Sequence, residues 1–175
     1  MKHLFTLILT VVIVLSSFSQ ENVETKENSI KTTTYYFIRH AEKDRSDVTN
    51  KNPNLIQKGI FRAAKWSYVL DYVKFDAVYS TDYNRTKQTA QPTAEKNNLK
   101  ITLYNPKELN SEDFIKNTKG KTVLVVGHSK TTTMFVNDII GEEKYENIDD
   151  SNNANLYIVT ISGNGEISDL LLVID

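Results

Sequence analysis

The chain has 175 residues, 39% of them hydrophobic and 25% charged, which suits one domain with a sizeable core. A formal net charge of −1 offers no electrostatic footprint for nucleic acid or for an anionic membrane surface. With no cysteine, the chain excludes disulfides, thiolate chemistry and Cys-based zinc or iron–sulfur sites.

The chain opens MKHLFTLILTVVIVLSSFSQ: Lys2, an uncharged, mostly apolar run from Leu4 to Leu15, then the small residues Ser16, Ser17 and Ser19. That is the layout of a secretory signal peptide spanning 1–19 and cleaved after Ser19. The run falls short of the ~20 apolar residues a bilayer span needs. An exported protein, periplasmic or secreted, is therefore expected, touching a membrane only through an uncleaved signal segment. Residues 20–33 are polar and read as a flexible lead-in to a domain over 34–175.

TTYYFIR (33–39) is β-branched and aromatic, a buried strand. The polar segment 41–54 reads as a loop. Asn54 is placed to cap a helix from Leu55 to Val73, whose apolar residues recur at helical spacing. FDAVYS (75–80) is a second strand. Residues 83–97 are helical in pattern, but Pro92 predicts two short helices or a kink. ITLY (101–104) is a third strand, and Ser111–Thr118 a short helix with Ser111 as cap. KTVLVVG (121–127) is a buried strand, followed by a helix from Thr131 to Ile140 that Gly141 ends. NLYIVTI (155–161) and ISDLLLVI (167–174), joined by SGNGE, form a hairpin. Strands alternating with helices predict an α/β three-layer sandwich: a mostly parallel central sheet with a C-terminal antiparallel hairpin.

Beyond His3 the chain has two histidines, His40 and His128, and each directly follows a strongly apolar strand, YYFIRH and VLVVGH. In open α/β sheets, ligands bind beyond the carboxyl ends of the strands. Arg39 precedes His40, and Arg85 begins the helix after the second strand. Planar, permanently charged guanidiniums suit a phosphate dianion.

RHAEK (39–43), YSTDYNRTKQTA (79–90) and VVGHS (125–129) resemble, in order and spacing, the histidine phosphatase superfamily, also called phosphoglycerate mutase-like. Ala41 stands where the Arg-His-Gly signature has glycine. Ser80, Arg85 and Thr89-Ala90 follow the family's middle pattern with one extra residue in the first gap. The resemblance covers about 34–174. It implies that His40 forms a phosphohistidine, that Arg39 and Arg85 neutralise the phosphoryl oxygens, that His128 donates a hydrogen bond to one of them, and that no metal or other cofactor is required. It also implies a carboxylic acid that protonates the leaving oxygen. Glu108, on the loop after the third strand, is the first candidate; Glu42, Glu112 and Asp113 are the others.

Mutases of this superfamily usually carry longer inserted segments. Here only the short loops 41–54 and 105–112 are free to cover the site, so hydrolysis of a phosphomonoester is the expected activity. The alternatives are a mutase-type phosphotransferase and a phosphate-binding module without turnover. Lys43, Arg45 and Lys51 could attract an acidic substrate.

Overall fold

The computed structural model describes residues 31–108 and 111–175. The signal segment 1–19, and the lead-in as far as residue 30, lie outside the described residues. Thr33 opens the first strand, as its sequence suggests: it is paired with Ile161 in the sheet, and its Oγ1 accepts from Gly120 N at 2.8 Å.

Strands β1 (Thr33–Arg39), β2 (Ala77–Ser80), β3 (Ile101–Leu103), β4 (Thr122–Gly127), β5 (Asn155–Ile161) and β6 (Ile167–Val173) form one sheet in the order β3-β2-β4-β1-β5-β6. The first four are parallel; β5 and β6 add the antiparallel hairpin. Strand alternation sends side chains to opposite faces. Tyr35, Phe37, Val123 and Val125 meet Phe114, Phe135 and Ile139 on one face. Ile38, Leu124 and Val126 meet Trp66, Leu70, Ala90 and Ala94 on the other. Helices α1 (Gln57–Val69) and α2 (Asn84–Lys96) thus cover one face, and α3 (Glu112–Thr118) and α4 (Ser129–Ile140) the other. The three-layer α/β sandwich follows from those two cores. Phe37 is wholly buried between β1 neighbours and α4, and removing it to alanine costs about 3–5 kcal/mol.

Three local expectations are corrected. First, α1 begins at Gln57, not Leu55. Leu55 is held extended by an antiparallel bridge to Lys43, and its N–H donates to Gln88 Oε1 at 2.7 Å. Asn54 therefore caps nothing, and Ile56 occupies the N-cap without a side-chain bond. Second, Pro92 lies inside one continuous helix, α2, and does not divide it into two short ones. Thr89, Ala90, Thr93 and Ala94 are buried around it, and their packing outweighs the single backbone bond a proline removes. Third, α4 starts two residues early, with His128 itself at the N-cap, and ends as expected at Gly141 (φ 72°). Ser111 does cap α3, its Oγ accepting from Phe114 N at 3.3 Å.

Register fixes where the functional residues emerge. Arg39 pairs with Gly127, Ser80 with Val126, and Ser80 with Leu103. The carboxyl ends of the four parallel strands are therefore level, and His40, Thr81, Tyr104 and His128 leave the sheet along one edge.

Candidate active site

His40 is anchored before its ring is considered. Its N–H donates to Gly127 O at 2.9 Å, and its carbonyl accepts from Asn153 Nδ2 at 2.7 Å. The next N–H, of Ala41, donates to Thr89 Oγ1 at 2.9 Å, which in turn donates to Arg85 O. β4, α2 and the 148–153 loop thus fix the two peptides that flank the His40 Cα. Ala41 takes no left-handed conformation, since Asn98 is the one non-glycine residue with positive φ among the described residues. Its buried methyl packs with Leu55 and Ala63, so alanine is accommodated where the family's signature has glycine.

His40 Nδ1 lies 2.7 Å from Ala41 O. A carbonyl only accepts, so Nδ1 carries the proton and Nε2 keeps its lone pair. His40 is 3% exposed, and burial pushes its pKa down to about 3, against the opposing Ala41 bond and with help from the Arg39, His128 and Arg85 charges. The imidazole is neutral across the physiological range.

The His128 ring sits edge-on to that of His40, with centroids 5.4 Å apart. Arg85 Nη2 donates to His128 Nε2 at 2.9 Å. This nitrogen is therefore an acceptor here; for it to donate to a phosphoryl oxygen, it must carry a proton and the Arg85 bond must be released. Burial, then the charges of Arg85, Arg39 and Lys43, lower the His128 pKa to about 4. Tyr83 closes one side: the Arg85 guanidinium lies 4.4 Å over its ring, and the His128 ring meets it edge-on.

The guanidiniums hold donors in reserve. Arg39 is 2% exposed; its Nη1 donates to Asp149 O and Asn152 O, and its Nη2 to Asp150 Oδ1 at 2.5 Å. Among the described residues its Nε has no partner, and neither do Nε and Nη1 of Arg85. Buried donors left unpaired are costly unless a ligand supplies the acceptor. Three such N–H-bearing atoms on two fixed cations beside two neutral imidazoles make a cradle for a phosphoryl group.

Glu108 does not join them. It is exposed, accepts from Asn105 Nδ2 at 2.9 Å, and lines a separate pocket with Tyr79, Tyr104, Ser111 and Phe114 to which none of Arg39, His40, Arg85 and His128 contributes. Glu42 is adjacent in sequence but engaged: Arg62 Nε donates to both its oxygens, at 2.9 and 3.1 Å, and Lys58 stands 3.6 Å away. Glu112 and Asp113 are exposed on the first turn of α3. Among the described residues no three His, Asp or Glu side chains converge as a metal site requires.

Sequence reading missed Asn153, Thr89 as the Ala41 acceptor, and Asp150, which joins Arg39 to Arg45 Nη1 at 2.6 Å. Only the Asp-Asp-Ser-Asn-Asn run at 149–153 signalled anything there, and it signalled a turn.

Residues 35–106 match the family model described as histidine phosphatase superfamily (branch 1). No curated protein matches the chain. Solved structures share the fold. A mycobacterial glucosyl-3-phosphoglycerate phosphatase aligns with TM-score 0.62 at 13% identity, over 82% of this chain and 99% of that one. A phosphoserine phosphatase from Entamoeba histolytica gives 0.60 at 16%, over 78% and 94%. A phosphoglycerate mutase from Bacillus anthracis gives 0.62 at 15%, over 82% and 94%. Residues 35–106 are thereby assigned to the histidine phosphatase superfamily, and the rest of the described chain completes its fold.

Proposed function

We propose that this protein hydrolyses phosphomonoesters through a phosphohistidine on His40. The observation that carries the reading is the pairing of a free Nε2 lone pair on a neutral, buried imidazole with orphaned guanidinium donors on Arg39 and Arg85. Nε2 attacks phosphorus in line. Arg39 Nε and Arg85 Nε and Nη1 take up charge on the equatorial oxygens. An incoming dianion also favours protonated His128, which then becomes a donor to the phosphoryl group. Water attacks the phosphohistidine, inorganic phosphate leaves, and His40 returns to its Nδ1–H form.

The fixed guanidiniums supply the charge that a metal ion would otherwise supply, so turnover is expected to persist in EDTA. Short loops flanking the site favour hydrolysis over transfer between two small phosphate esters. The test is incubation with labelled phosphate ester in EDTA, followed by alkaline trapping of phosphohistidine. Label on wild type, none on His40→Ala, and loss of more than about 10⁴-fold in kcat/KM are expected. A folded His40→Ala protein that retains a tenth of the wild-type rate would remove the nucleophile assignment. Tight phosphate binding without label or turnover would make the chain a binding module. The exported location rests on residues 1–19 alone; a mature N-terminus at Gln20 is its expected outcome, and a retained Met1 would refute cleavage.

A further inference from the structure

The arginines of the chain are not compensated alike. Arg39 and Arg45 both hold Asp150, at 2.5 and 2.6 Å, and Arg62 holds Glu42 at 2.9 Å. Arg85 is paired with no carboxylate among the described residues: its Nη2 meets the neutral ring of His128, and its Nε and Nη1 have no partner. Yet Arg85 is buried, where a cation without compensation is costly. What offsets the charge is an aromatic face. The Arg85 guanidinium carbon lies 4.4 Å from the centroid of the Tyr83 ring, well inside the reach of a cation–π contact.

Tyr83 is held where it can keep that contact. It precedes α2 in an extended conformation (φ −129°, ψ 147°). Its N–H donates to Thr81 O at 2.9 Å, and its carbonyl accepts from Lys87 N at 3.0 Å and from Thr86 Oγ1 at 2.9 Å. Its ring also meets the ring of His128 edge-on, with centroids 5.0 Å apart, so it touches both partners of the Arg85–His128 bond. A carboxylate in its place would engage N–H groups of Arg85 and cancel the charge that a phosphate dianion is to meet. A ring face attracts the cation through its quadrupole and is no competitor for the dianion's donors. The attraction also does not depend on which N–H is bonded, so it persists when Nη2 leaves His128 for a phosphoryl oxygen.

Resting on the phosphohistidine reading above, we propose that Tyr83 is the positioning residue of Arg85: its ring face holds the buried guanidinium in place of a carboxylate and so leaves the Arg85 donors, at full charge, to the phosphoryl group. The two site arginines then differ in kind. Arg39 is fixed through its Nη atoms by Asp149 O, Asn152 O and Asp150, and offers Nε. Arg85 is held through its charge, and offers Nε and Nη1 at once and Nη2 on release from His128.

The test replaces Tyr83 by phenylalanine and by phenylalanines of increasing ring fluorination, which nearly keep the shape while withdrawing charge from the ring face. Two quantities are measured in each: kcat/KM on nitrophenyl phosphate and the calorimetric affinity for inorganic phosphate. His40 labelling is measured in wild type. Tyr83→Phe is expected to stay within about twofold of wild type, since the contact with Arg85 is made by the ring. Both quantities should then fall stepwise with fluorination, by about two- to thirty-fold for the trifluorinated ring. In an Arg85→Gln background, which keeps a planar donor without the cation, the same series should be flat. A flat series with Arg85 present would reduce Tyr83 to a steric wall. A slope that survives Arg85→Gln would mean that the ring acts on the phosphate or on His128 directly. Either result overturns the assignment. Absence of label on wild-type His40 would instead remove the phosphohistidine reading, and the affinity series would report that failure separately.

Discussion

Segments 39–43 and 104–108 leave parallel strands along the same edge of the sheet, and both carry charged residues that the sequence marks as catalytic. The first is tied to β4 through Gly127, to α2 through Thr89, to the 148–153 loop through Asn153 and to Leu55 through Lys43. The second is bonded to the sheet through Tyr104 N and Ser80 O, and beyond that to itself, through Asn105 and Glu108. A residue placed by sheet register and cross-element bonds keeps its address. A residue placed by a local turn takes whatever address that turn gives.

The largest expected effect sharpens the first half of that contrast. His40 and His128 are neutral in the fold, with pKa values of about 3 and 4, against about 6.5 when unfolded. Above pH 6.5 both states are neutral, and neither ring gives a pH dependence. Below it the unfolded chain takes up protons that the folded chain refuses, so stability falls as pH falls. The slope is roughly 1.4 kcal/mol per pH unit for each ring, an upper bound that amounts to about 5 kcal/mol for the pair at pH 4.5. Urea melts at pH 7 and pH 4.5 should show the loss, and His40→Asn should recover about half of it. Equal pH dependence in wild type and His40→Asn would mean that the ring titrates freely.

Arg85→Lys breaks the cradle while keeping its charge. An ammonium cannot both hold His128 Nε2 and present two further donors in a fixed plane. A fall of about 10²-fold in kcat, comparable to the loss of one oxyanion donor, is expected. Unchanged single-turnover rates would place the guanidinium outside the reaction.

A smaller effect comes from outside the site. A β-carbon on Gly59 would lie 2.2 Å from Glu42 O, so α1 approaches the segment carrying His40 and Lys43 only because residue 59 is glycine. The obstacle is backbone, already fixed by Ile56 N, and cannot swing away. Gly59→Ala should cost about 1–3 kcal/mol of stability and lower kcat with little change in KM, because it displaces the nucleophile. Wild-type kcat at full stability would show that the segment tolerates movement.

Much of this was legible in the chain. Strand-end histidines, the Arg39 and Arg85 positions and the layer order follow from hydrophobic period and motif spacing, which register converts into proximity. The bridge that keeps Leu55 out of α1, the buried side of Pro92 and the Asn153 bond to His40 depend on partners 12 to 113 residues away, and no local pattern carries them. The Arg85–His128 bond, which makes His128 Nε2 an acceptor, is likewise a fact of three dimensions.

The smallest expected effect concerns the second segment. The sequence favours Glu108 as leaving-group acid because it follows the third strand and Pro106. In the fold its carboxylate accepts from Asn105 and faces Tyr104, Ser111 and Phe114. To serve His40 it would have to surrender that bond and cross out of its own pocket. Glu108→Gln retains the shape and the capacity to accept from Asn105 while removing the ionisable proton. If register rather than loop position selects the catalytic groups, this variant changes the ratio of alkyl to nitrophenyl kcat/KM by less than about threefold, against the 10²-fold or more that removal of a general acid costs. A selective fall in the alkyl rate of that larger size would show that the 104–108 segment moves onto the site during turnover, and the two strand ends would then differ in timing and not in role.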